Sequence, residues 1–265
     1  MSPACSGVPF CGHGRQRSGH GESRDSRVTQ QTLSFYRQTL EWPSQHHQAW
    51  ASRTQHDLAD DERHNAVWKL SGQAIAYACA LVELLDRGYT GQTLALMRAV
   101  HEVDRLLVAV NDENEERIGR RWLANQEVRQ RDARDAVQRY VSRISEQMVA
   151  AGQEPPSQDV AELSRQLYGG MSAAVHHQRS IVDEAIDHES RTMIYGPDPR
   201  QSERLAYTEF AGALIQEVLI TVGDALSFLW GPGFYQRDLA PMLRRFQEAL
   251  DALDTHGLLR KLGFA

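Results

Sequence analysis

Cysteine is scarce, with three in 265 residues. Cys5 and Cys11 stand in a polar stretch and Cys79 in an apolar helical run. That odd count, at those spacings, fits neither a disulfide framework nor a zinc pattern. His13 follows Cys11, but the four ligands that tetrahedral zinc needs at finger-like spacing are missing. A reducing, cytoplasmic setting is expected, with no metal and no cofactor. Net positive charge is lacking too: 29 Lys and Arg stand against 35 Asp and Glu, a net of −6. This disfavours a globally basic nucleic-acid binder and leaves only a local basic face to consider. The signatures of common catalytic sites are absent: there is no G-x-S-x-G elbow, no P-loop, no H-E-x-x-H and no dinucleotide fingerprint. The stretch "GHGRQRSGHGES" has glycines but no strand and helix after it, so it is not a phosphate loop.

No apolar run of signal-peptide length opens the chain. Residues 1–29, dominated by Gly, Ser, Arg and His, read as a disordered tail. The longest apolar stretch is "FAGALIQEVLITVGDALSFLW" at 210–230. Glu217 and Asp224 sit in its middle, which is costly in lipid. With Thr221 they follow helical spacing, so the segment is predicted to be the central helix of a bundle with one narrow polar stripe, not a membrane span.

Alternating β-branched runs are also lacking, and helical spacing is everywhere. A helix is predicted over Val28–Glu41, stopping before Pro43, and a short one over Gln45–His56. Asp60 and Asp61 can cap the next, which runs to Asp86 and ends at Gly88. Thr90 or Gly91 opens a helix through Val110. A long charged helix is predicted from Asn114 to Ala150, broken by Pro155 and Pro156. Ser157 can cap a helix ending near Ser190. Asp198 and Pro199 start another that reaches Trp230, where Gly231-Pro232-Gly233 ends it. A last helix is expected over 237–255. Short connections between long helices imply antiparallel neighbours, so residues 30–265 are expected to be one all-α bundle of about six to seven helices.

Polar faces on these helices are the candidate sites. In "TLALMRAVHEVDRLLVAV", Leu96, Val100, Val103, Leu107 and Val110 share an apolar face, with Arg98, His101, Glu102 and Arg105 opposite. The bland expectation is a solvated face with an Arg98–Glu102 ion pair. The sharper one is that the stripe meets a second polar interior. In "YGGMSAAVHHQRS", Tyr168, Ser172 and His176 form one ridge. His177 leaves the helix about 100° away from His176, so the two histidines are not a paired metal site. The 115–143 segment carries eight arginines and five acids, while Ile118, Trp122, Val137, Tyr140, Val141, Ile144 and Met148 can supply the buried stripe of the long helix. A phosphate-tracking role is the sharp reading of it, and a solvated face with intrahelical pairs the bland one.

Taken in order, "LVELLDRGY", "LALMRAVHE", "RRWL" and "YGGMSAAVHH" resemble bacterial all-helical families of unknown function, loosely HEPN-like. Those families carry an Arg-x-x-x-Glu motif on one helix and a Ser-x-x-x-His motif on a later one. The similarity covers about 60–190 and implies functional positions at Arg98, Glu102, Ser172 and His176, with Tyr168 beside them. HEPN ribonucleases place Arg four to six residues before His, a spacing present here only from Arg15 to His20. The resemblance therefore implies the fold more than the nuclease. The expected function is a binding or interaction module in stress or defence, homo-oligomeric through apolar helix faces. The alternatives are a HEPN-like ribonuclease or toxin with a non-standard site, and a small-ligand or metal-binding bundle at the Arg98/His176 cluster.

Overall fold

The computed structural model describes residues 24–54, 61–112, 116–128, 130–150, 186–187, 192–193, 197, 201–231 and 233–252. They form an all-α bundle: α1 (Arg24–Thr54), α2 (Glu62–Asp86), α3 (Thr90–Asn111), α4 (Glu116–Leu123), α5 (Gln130–Ala150), α6 (Gln201–Trp230) and α7 (Ala240–Ala252). A π-helical turn at Tyr235–Leu239 leads into α7. The extended pairing among the described residues is β1 (Ile186–Asp187) against β2 (Thr192–Met193), antiparallel and two residues long.

Helix ends follow local chemistry. Asp61 caps α2, its carboxylate accepting from the backbone N–H of Arg63 at 2.9 Å and of His64 at 3.0 Å. Burial pushes this carboxyl up, but hydrogen bonds from His64 and Arg63 outweigh it and hold Asp61 below the usual range. Gly88, at φ 82°, closes α2: its N–H reaches Leu85 O and the next N–H, of Tyr89, reaches Leu84 O, each at 2.9 Å. That is a Schellman closure, and glycine enters the left-handed region without a Cβ penalty.

α6 is the central element. It packs on α1, α2 and α3, while α5 lies against α3, and α4 against α2 and α3. Arg204–Trp230 is long and apolar enough to cross a membrane by length and composition, yet most of it is buried inside the bundle. One apolar cluster takes side chains from all seven helices, among them Leu33, Leu81, Met97, Ile118, Ala136, Ile215 and Phe246. The Trp50 indole donates to Leu229 O at 2.9 Å and the Tyr36 hydroxyl to Thr208 O at 3.2 Å, fastening α1 along α6.

Five expectations are corrected. The first helix starts at Arg24, inside the segment expected to be tail. It also runs through Pro43 as one piece. Leu40 and Trp50 on either side are both buried, so tertiary packing outweighs the roughly 3 kcal/mol that an interior proline costs. The long charged helix is two, because Asn125 at φ 55° ends α4: Asn125 N–H reaches Trp122 O at 3.0 Å and Gln126 N–H reaches Arg121 O at 2.9 Å. This is the same Schellman geometry as at Gly88, with asparagine in the left-handed position. Ile186–Asp187, expected within a helix, is extended. Ile186 and Thr192 are β-branched and favour that conformation. Finally, Val141, expected on a buried stripe, is 47% exposed, because α5 turns Ala133 and Ala136 inward instead.

Candidate functional site

The polar stripe of α6 faces α3 and α5. Glu217, Thr221 and Asp224 lie at positions i, i+4 and i+7, one face of the helix. Each meets a polar side chain from another helix. His101 Nδ1 of α3 lies 3.3 Å from Glu217 Oε2. The Thr221 hydroxyl donates to the Asp104 carboxyl of α3. The Tyr140 hydroxyl of α5 donates to Asp224 Oδ2 at 2.7 Å. His101, for which a solvated face was the bland expectation and a second polar interior the sharper one, is buried, as is Asp104. The bundle therefore has a polar seam running through its interior.

Burial sets the protonation of this seam. Asp104 is pushed well above the usual carboxylate range, first by desolvation and then by the charge of Glu217. The Thr221 hydrogen bond and the charge of Arg105 oppose the rise without cancelling it. Asp224 is raised by desolvation as well, opposed by the Tyr140 hydroxyl and the charge of Arg143. Tyr140 is raised by burial and then by Asp224. Its phenol is thus fixed as a donor, which suits its bond to the carboxyl.

Beside the seam, where α3 ends, a cavity of about 180 Å³ opens between α3, α5 and α6. Val108, Asn111, Asp112, Arg139, Tyr140, Arg143, Thr221 and Asp224 line it. Arg139 and Asp112 already pair at 2.9 Å. The Arg143 guanidinium lies over the Tyr140 ring, 5.3 Å from its centroid, close enough to act on Asp224 electrostatically. Among the described residues, neither Arg143 nor Asp224 belongs to an ion pair. Asn111 Oδ1 is buried with no hydrogen-bond partner. A buried carbonyl oxygen left in this way costs about 1–3 kcal/mol, and native proteins leave few of them.

Arg98 and Glu102 form the expected intrahelical pair, 2.7 Å apart. Glu102 also borders a broader, more open groove of about 330 Å³ with Tyr77, Arg105 and Trp122. Tyr168, Ser172, His176 and His177 lie outside the described residues. Arg15 and His20 do so as well. On the basic segment, Arg120 pairs with Glu62 at 2.8 Å and Arg139 with Asp112, so part of its charge is already matched within the bundle. Among the described residues, no group of three or more His, Cys, Asp or Glu is placed to hold a metal ion.

Sequence reading missed Asp104, Asn111 and Asp112 as site residues, and it placed Tyr140 in a buried apolar stripe. One signal was available. A helix with a polar stripe in an otherwise apolar sequence needs polar partners, and His101 with Asp104, three apart on α3, offered them. No family model, no curated protein and no solved structure matches the chain.

Proposed function

We propose that this protein is a cytoplasmic binding module whose ligand, a small polar organic molecule, sits in the cavity between α3, α5 and α6. One observation carries the reading: the cavity is walled by polar groups whose valences the fold leaves open. Arg143 and Asp224 line it together outside any ion pair, and Asn111, in the same lining, has a buried Oδ1 without a partner. Elsewhere the seam joins His101 to Glu217, Thr221 to Asp104 and Tyr140 to Asp224, as a structural network would. At about 180 Å³ the space lies below the usual range for drug-sized or nucleotide ligands, roughly 300–1,000 Å³, which points to a small metabolite.

The ribonuclease alternative has less support. Its candidate histidine lies outside the described residues, and arginines that would track phosphate are partly matched by Glu62 and Asp112. Ligand-observed NMR of the full chain against metabolite mixtures tests the binding reading. At least one small polar molecule should show saturation transfer from the wild type. The signal should vanish with Val108→Phe, which fills the cavity, and with Asn111→Leu, provided circular dichroism shows both still folded. If every hit survives both substitutions, the cavity is not the site.

A further inference from the structure

We infer that the ligand is a zwitterion of amino-acid size, its carboxylate held by Arg143 and its ammonium by Asp224; this rests on the cavity being the binding site. The charges around the space are arranged for such a molecule. Of the two cations and two acids that line it, Arg139 and Asp112 are already joined at 2.9 Å and leave no net charge to be matched. Arg143 and Asp224 are the opposite case. Both line the cavity and the Arg143 charge acts on Asp224, yet they do not form an ion pair. A ligand with a positive and a negative end can bridge them, whereas a simple anion or a simple amine would satisfy one and leave the other.

The hydrogen-bonding valences agree. A guanidinium offers donors only, in a planar fork that fits a carboxylate. Asp224 has given Oδ2 to the Tyr140 hydroxyl, and its other oxygen can accept. The lining thus offers a guanidinium donor and a carboxylate acceptor, the complement of a carboxylate and an ammonium. The Tyr140 phenol keeps the Asp224 carboxyl in place, since its hydroxyl has already been committed. Size fits as well: about 180 Å³ is the liquid volume of roughly six waters, enough for a small amino acid and too little for a nucleotide.

The test is titration calorimetry of the full chain with the common free amino acids and, for each that binds, its carboxamide and its N-acetyl derivative. At least one free amino acid should bind. Amidating the carboxylate or acetylating the amine should each weaken binding by about tenfold or more, as expected when one charge-assisted contact is lost. Arg143→Gln should bring the free acid down to the affinity of its amide and leave the amide unchanged. Asp224→Asn should do the corresponding thing for the N-acetyl form. The inference is overturned if the amide and N-acetyl forms bind as tightly as the parent, or if Arg143→Gln changes nothing. It is also overturned if no amino acid binds while another class of small molecule binds in a way that Val108→Phe abolishes; the cavity reading then stands. If no molecule of any class is lost with Val108→Phe, both fail together.

Discussion

Asp104 is a carboxyl taken out of water. It is buried between α3 and α6 with Glu217 beside it, and its proton is held well above the ordinary carboxylate range. A folded-state value raised above the unfolded one means that the native state binds the proton more tightly. Stability from this group is then fully present below the unfolded value, about pH 3.9, and is lost as pH rises towards the folded one. Asp104→Asn should therefore raise the urea midpoint near about pH 8 and change it little near about pH 4. Parallel curves for variant and wild type would contradict this. Tyr140 gives the opposite case. Tyr140→Phe leaves Asp224 without its donor at 2.7 Å, and chemical denaturation should show a loss of about 1–3 kcal/mol. In an Asp224→Asn background the same change should cost less, because the coupled partner has already been altered.

At the level of elements, two turns with the same geometry differ in how visible they are. Gly88 and Asn125 both sit in the left-handed region and close a helix by the same pair of backbone hydrogen bonds. The glycine was legible as a stop. The asparagine was not, because asparagine marks a helix end less strongly than glycine and its left-handed tolerance shows only once the chain has turned. Asn125→Gly should leave the melting temperature unchanged or slightly higher, whereas Asn125→Val should cost roughly 1–2 kcal/mol. Pro43 misled in the other direction. Its local veto is real, but Leu40 and Trp50 on the same helix are buried and hold it together. Gly223 marks another contact with no sequence signature. A Cβ there would lie 2.4 Å from the Leu239 side chain, so the π-helical turn seats directly on α6. Gly223→Ala should destabilise by about 1–3 kcal/mol from overpacking, more than the roughly 1 kcal/mol that helix propensity returns. An unchanged melting temperature would mean that the turn can move aside.

Over the whole molecule, the all-α class and most helix ends could be read from periodicity and caps, since both are local properties. The polar stripe Glu217–Thr221–Asp224 was legible too, and so was its incompatibility with lipid. What it faces was not. That depends on the rotation of α3 and α5 against α6, which no spacing within one helix encodes. Thus His101 was left between a solvated face and a polar interior, and Tyr140 was placed in the apolar core, although both join the seam. The Arg98–Glu102 pair, being four apart on one helix, was read correctly. Asn111 lines the cavity and so reports on it. Its side-chain amide resonance in a heteronuclear NMR titration with the ligand is thus the most direct probe of the cavity as the binding site. The resonance is expected to shift and saturate together with the Arg143 side-chain signal. Shifts gathered instead at Trp122 and Tyr77, with Asn111 unmoved, would contradict it.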